Sequence, residues 1–309
     1  MKILCATDLM PRSDPAIDRA ALLAAQLDAE LHLLHVIPPA SSASELDQHL
    51  REANEQMKQR IRAPQWRHGR APHTSIRIGG PAQMLRRTAA ELRADLVVLG
   101  PHESRASRDA LSGTIVARML GERRCPVLIV REPAQGAYRD VLLALGLHES
   151  SPAIVRAAES LVLSDHLNAS IVHSCHFPYT TMLDSYGITT DEVAGYSGVI
   201  TAQAREKLNE LVARESSGAI QYDLIVRKDP PAMAIEKAAR RKQPDLIVMG
   251  TRGQGPLRRA LLGSVASRIL KTVKTDLLVV PEETSSSAKA GWSRARAIPE
   301  ASVSRHGLS

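Results

Sequence analysis

Aromatic side chains are nearly missing from this chain: one Phe, two Trp and five Tyr among 309 residues. So small a supply weakens any base-stacking platform for single-stranded nucleic acid. Cysteine is as scarce: Cys5, Cys125 and Cys175 stand far apart, and no Cys-x-x-Cys occurs. That excludes a disulfide scaffold and leaves no zinc-ribbon or dithiol redox motif. No run approaches the ~18 apolar residues that span a bilayer. The opening Met1-Lys2-Ile3-Leu4-Cys5-Ala6-Thr7-Asp8 is apolar too briefly for a secretory signal, so a cytoplasmic location is expected. There is no nucleophile elbow, no His-Glu-x-x-His and no Walker A ending in Gly-Lys-Ser/Thr. With no catalytic constellation in view, an enzyme is not expected.

What remains is an ordinary globular composition, 44% hydrophobic and 24% charged. The net charge of +7, from 40 basic and 33 acidic residues, admits an anionic ligand without choosing one. The basic stretch 51–70 reads as a solvated helix face and loop, so nucleic acid is not the expected partner. The length suggests two domains.

The chain also repeats itself. Residues 77–131 align with 227–281 at a constant offset of 150, without gaps, and sixteen of the 55 positions are identical. Among them are Pro81/Pro231, Asp95/Asp245, Gly100/Gly250, Gly113/Gly263 and Leu120/Leu270. An ungapped match of that length indicates a duplicated domain rather than a short-period solenoid. Each copy alternates apolar β-rich runs with helical periodicity. Strands are expected near 2–7, 30–36, 74–79, 95–100 and 126–131, and again near 140–145, 169–175, 222–227, 245–250 and 276–280. Helices are expected near 14–27, 44–62, 82–92 and 114–121, then 152–163, 190–214, 232–241 and 264–272. Leu96-Val97-Val98-Leu99 and Leu246-Ile247-Val248-Met249 are apolar at every position, which marks parallel strands covered on both faces. The class is therefore α/β, with doubly wound parallel sheets.

In such sheets ligands sit beyond the carboxyl ends of the strands, at a topological switch point. In copy two the fourth strand ends in Gly250-Thr251-Arg252-Gly253-Gln254-Gly255, and Gly263-Ser264-Val265 opens the next helix. The glycines let backbone approach a ligand, and the helix start with Ser264 offers N–H and hydroxyl donors to an anion. Thr251 and Arg252 add a hydroxyl and a positive charge. This set suits the ribose and phosphates of a nucleotide.

The Gly250-x2-Gly253-x9-Gly263-Ser264 pattern resembles the ATP-binding signature of the universal stress protein family. The resemblance runs through both halves, with Asp8 after strand one, Leu34-His35-Val36 ending strand two, and Pro81-Ala82 and Pro231-Ala232 opening helix three. It implies two tandem five-stranded parallel sheets of order 3-2-1-4-5, like those of the adenine nucleotide alpha hydrolases. The copies would occupy 1–134 and 137–281, followed by a disordered tail, 282–309. It further implies a stress-response regulator that binds ATP, with Mg2+ on its phosphates. In the ATP-binding branch the acid after strand one holds the nucleoside, and backbone ending strand two touches adenine.

The two copies depart from this pattern in complementary ways. Copy one keeps Asp8, Val36, Gly100 and Gly113-Thr114 as a possible second site, but Pro101 and Glu103 interrupt its phosphate loop. Copy two keeps the loop but has Gly146 in place of the acid. Copy two is the better phosphate binder, and two domains need not mean two sites. A non-nucleotide metabolite or lipid-like ligand, and a slow ATPase, stay open as alternatives. No metal site is assigned; the nearest to one is His173-Ser174-Cys175-His176, which lacks a nameable fourth ligand. Phe177, Tyr179 and Tyr186 mark a segment placed to cover the pocket or to pack on the other half. By resemblance the last strands of the copies, 127–130 and 277–280, would pair within the chain as a pseudo-dimer, and further homodimerisation stays open.

Overall fold

A computed structural model describes residues 1–61, 70–100, 125–148, 151–161, 167–176, 190–216, 220–251 and 263–281, with 119 and 218; side chains of 190–196 are not described. The expected helix 114–121, the aromatic segment 177–189 and the tail 282–309 lie outside these residues, apart from Met119, which is helical.

Copy one runs β1 (Lys2–Thr7), α1 (Asp14–Gln26), β2 (Glu30–Ile37), α2 (Ala43–Ile61), β3 (His73–Ile78), α3 (Pro81–Leu92), β4 (Leu96–Leu99) and β5 (Val127–Ile129). Copy two continues with β6 (Asp140–Ala144), α4 (Ser151–Leu161), β7 (Asn168–Ser174), α5 (Thr190–Glu215), β8 (Tyr222–Arg227), α6 (Pro231–Lys242), β9 (Leu246–Gly250), α7 (Ser264–Thr272) and β10 (Asp276–Val280). Both halves carry the expected 3-2-1-4-5 order. Their sheets are not separate, however: all ten strands form one sheet, β3-β2-β1-β4-β5-β10-β9-β6-β7-β8. Pairing is parallel within each half and antiparallel at the seam, where Leu277, Leu278 and Val279 face Ile129, Leu128 and Val127. Both strands at the seam are wholly buried, so joining them removes two apolar edges that water would otherwise meet.

Alternation along the strands builds one core on each face. Ile3, Cys5, Leu96, Val98, Leu143, Val248 and Leu278 point to one face, with α1 and α4. Leu4, Val97, Val127, Ile247, Met249 and Leu277 point to the other, with α3, α6 and α7. Each core crosses the seam, so the halves share two cores rather than owning one apiece.

Residues identical between the copies have structural duties. Pro81 and Pro231 occupy the first helical position, where a missing N–H costs nothing. Their helices stop on left-handed residues, Arg93 (φ 52°) and Gln243 (φ 46°). Asp95 accepts the Lys2 N–H at 2.7 Å, and Asp245 accepts the Arg139 and Asp140 N–H groups at 2.7 and 3.1 Å. Each acid thereby ties down the start of its copy's first strand.

The linker is held just as firmly. Asp276 is 2% exposed and accepts from the Arg131 N–H (2.7 Å) and the Tyr138 hydroxyl (2.7 Å). The buried Arg19 guanidinium lies 3.6 Å from the same carboxylate, stacks 3.9 Å over the Tyr138 ring, and donates to the Gly136 carbonyl at 2.6 Å.

Candidate functional site

Strand order reverses between β1 and β4 and between β6 and β9. Ala6 faces Leu99, and Ala144 faces Met249. Asp8 therefore emerges beside Gly100, and Gly146 beside Gly250 and Thr251, each group at a switch point. Because β5 and β10 are antiparallel, the two switch points open at opposite ends of the sheet. The acid of copy one and the described ends of the copy-two loop, Thr251 and Gly263, therefore lie at opposite ends of the sheet.

In copy two, Thr251 is 7% exposed and pinned at both backbone groups. Its N–H donates to Val280 at 3.1 Å, and its carbonyl accepts from Gly263 at 2.9 Å. That second bond draws together the two ends of segment 252–262, which carries Arg252 and Gly253 outside the described residues. Gly263 is the N-cap of α7, with extended backbone (φ −56°, ψ 156°) and no side-chain cap. Its carbonyl takes the first repeating helical bond, from the Ser267 N–H at 2.9 Å. The N–H groups of Ser264, Val265 and Ala266 precede that bond, so they lack intrahelical acceptors and gather the positive end of the helix dipole. Ser264 is exposed and Val265 half-buried. The helix itself is braced: Arg268 donates to both Glu236 oxygens (2.8 and 2.9 Å), and Thr272 donates to one of them at 2.9 Å. The bonds from Arg268, with that from Thr272, hold the Glu236 carboxyl below its usual range against a smaller burial effect.

The missing acid leaves a mark. A Cβ added at Gly146 would lie 2.2 Å from Cδ2 and 2.3 Å from Nε2 of His148. An imidazole thus fills the space into which an acid's side chain would grow. Below it, the Ser151 hydroxyl donates to the Gly146 carbonyl at 2.5 Å, and the His173 ring Nδ1 lies 2.8 Å from the Leu145 carbonyl.

In copy one, Asp8 is committed to its own turn. Its Oδ1 accepts from the Met10 N–H at 2.9 Å and lies 2.9 Å from the Ser13 hydroxyl, and its Oδ2 accepts from Arg12 Nε at 2.6 Å. Burial pushes the carboxyl up, but the bonds from Met10, Arg12 and Ser13, with the Arg12 charge, together outweigh it. The group ends below its usual range. Leu9 follows in the left-handed region (φ 62°), its N–H donating to the Thr7 hydroxyl at 3.0 Å. Gly100 sits against α1, where a Cβ would stand 3.5 Å from Ala16 Cβ and Ser13 Cα. The structure therefore gathers Asp8, Ser13 and Gly100 at one strand end. Val36 lies half-buried near the end of β2, one strand over. Gly113 and Thr114 are outside the described residues.

The histidine–cysteine run does not gather. His173 is engaged with Leu145, β7 stops at Ser174, Cys175 is buried with its thiol pushed up by burial, and the exposed His176 ring lies 3.3 Å from the Lys228 carbonyl. Sequence reasoning also missed two residues at these strand ends, His148 and Arg12. Arg12 had a signal in its i,i+4 spacing from Asp8; His148 had none.

A sequence model of the Universal stress protein family matches residues 1–131 and again 137–281. A universal stress protein of Mycolicibacterium smegmatis is 26% identical over 291 residues, which span 90% of this chain and 96% of that protein. One from Methanocaldococcus jannaschii is 29% identical over 142 residues, 43% of this chain and 82% of that protein. The crystal structure of a universal stress protein from Archaeoglobus fulgidus superposes over 91% of this chain and 98% of its own. Its TM-score is 0.66 and its identity 17%, a likeness of fold.

Proposed function

The chain belongs to the universal stress protein family, in two tandem copies, and from that premise we propose that it is a nucleotide-responsive regulator whose copy two binds ATP or a related nucleotide. Supporting this reading is the α7 N-terminus, whose N-cap Gly263 brings no capping side chain and is held against Thr251 by its N–H hydrogen bond. Gly250 and Thr251 would pass beside the phosphates. The N–H groups of Ser264 and Val265 and the Ser264 hydroxyl would receive them, with Arg252 and Gly253 completing the loop. Mg2+ would arrive with the phosphates rather than in a protein cage of its own. With His148 in the acid's place, recognition in copy two would rest on phosphate more than on ribose. Weak discrimination among nucleoside triphosphates follows from that. We read the chain as a binding protein rather than a catalyst.

Calorimetric titration of the full chain with ATP tests the reading, with Gly263→Asp as the variant. An aspartate at the N-cap satisfies the uncapped N–H groups and opposes phosphate, while its effect on folding is a few tenths of a kcal/mol. ATP affinity should fall at least about tenfold with the melting temperature maintained, a loss that a mere weakening of the fold would not produce. Absence of binding at millimolar ATP, or full affinity in the variant, would refute the proposal.

A further inference from the structure

At the amino ends of β2 and β3, remote from either switch point, three side chains converge that the nucleotide reading does not use. Glu30 and His32 are two apart on β2 and so share a face of the sheet. His73, the first residue of β3, pairs directly with His32 in the parallel register. Their rings stack with centroids 4.8 Å apart at 21°, and Glu30 Oε2 lies 3.7 Å from His32 Nε2. One ligand atom from each of the three falls within 4.8 Å of the others, the only such group of three among the described residues. His32 Nε2 is buried and has no hydrogen-bond partner. A buried ring nitrogen without a partner is costly, and such an atom calls for an explanation.

We propose that Glu30, His32 and His73 form a binding site for a late first-row divalent cation of the zinc type. Imidazole nitrogen and carboxylate oxygen are the donors that such ions prefer, and His2Glu leaves a fourth position for water. Around a tetrahedral ion with bonds of ~2.0–2.1 Å, neighbouring donors stand roughly 3.3 Å apart. The Glu30–His32 pair is within half an ångström of that spacing. Glu30 and His73 are exposed, so both can swing the remaining distance.

One charge opposes the ion. Lys2 Nζ lies 3.9 Å from the same Glu30 oxygen, on a half-exposed side chain able to turn away. Copy two supplies an internal comparison. The equivalent positions hold Asn168, Ser170 and Asp223, with Ser170 paired to Asp223 as His32 is to His73. The same scaffold forms there without an imidazole, so the fold does not require the histidine pair.

The test is calorimetry of the full, chelator-stripped chain with ZnCl2, free of affinity-tag histidines. One ion should bind per chain. Affinity should fall in the exposed-residue variant His73→Ala and in His32→Ala/His73→Ala by more than the ~10–100-fold that loss of a supporting partner costs a metal site. Lys2→Gln should tighten binding about three- to tenfold by removing a like charge. The metal-free melting temperature of His73→Ala should match that of the wild-type chain, which separates loss of a ligand from loss of fold. No binding at ~100 μM Zn2+, or undiminished affinity in His73→Ala, would overturn the proposal.

Discussion

Asp276 offers the sharpest quantitative test of how the two halves are held. Its carboxylate is the acceptor for the Arg131 N–H and the Tyr138 hydroxyl, and it is the counter-ion of Arg19, itself only 6% exposed. Asp276→Ala removes the acceptor and leaves the rest buried. Breaking a buried ion pair from one side costs about 3–5 kcal/mol, because the remaining charge is uncompensated. Tyr138→Phe is a gentler cut. It deletes one hydrogen bond to a charged acceptor, about 1.5–3 kcal/mol, and keeps the ring beneath Arg19. Urea denaturation followed by circular dichroism measures both, with the slope m checked so that a midpoint shift can be read as stability. The double variant should cost less than the sum, since the Tyr138 hydroxyl has no acceptor once the carboxylate is gone. An Asp276→Ala loss below about 1 kcal/mol would refute the reasoning, by showing that Arg19 and Tyr138 find water or another partner.

Three shorter predictions follow from the strand ends and the thiols. Gly146→Asp forces the His148 ring aside and should destabilise the chain by about 1 kcal/mol; His148→Ala in the same chain should relieve most of that, as thermal melts of the two will show. The Asp8 carboxyl titrates below its usual range in the folded chain, so its contribution is full above the unfolded value near 3.8 and is lost as pH falls through the folded one. The stability gap between wild type and Asp8→Asn should accordingly hold from about pH 6 to about pH 5 and narrow as pH falls below about 4 in urea melts, and a gap that stays constant down to about pH 2 would contradict the assignment. Cys5 and Cys125 are buried with thiols pushed up to about 12. Neither should react with a disulfide reagent at pH 8 until the chain unfolds, and a fast-reacting thiol at either position would contradict their placement.

The fold was legible because its strongest signals are local or repeated. Unbroken apolar runs such as Leu96–Leu99 and Leu246–Gly250 are buried on both faces, and an offset of 150 ties one copy to the other. The strand-end glycines and the uncapped start of α7 were legible from spacing. What escaped depends on which side chains meet once the chain has folded. His148 turns back onto Gly146, and Arg12 folds over Asp8, so the acid after strand one also fastens the turn into α1. The His32–His73 pairing was hidden too, since 41 residues separate the partners and only the register of β2 against β3 sets them side by side. The opposed directions of the two switch points follow from the antiparallel seam, and that is a property of the assembled sheet alone.

The seam also bears on how the chain is made. Val127, Leu128 and Ile129 leave the ribosome about 150 residues before Leu277, Leu278 and Val279, the strand that covers them. At ~5–20 residues per second, copy one waits roughly 7–30 s with an uncovered edge of three consecutive aliphatic side chains. During that interval the strand is a template for any extended segment nearby, including the same strand of another nascent chain. Because β10 is the last strand of copy two, the whole of copy two must be made before the correct partner exists. A copy one left without β10 would therefore keep the apolar edge of β5 unpaired.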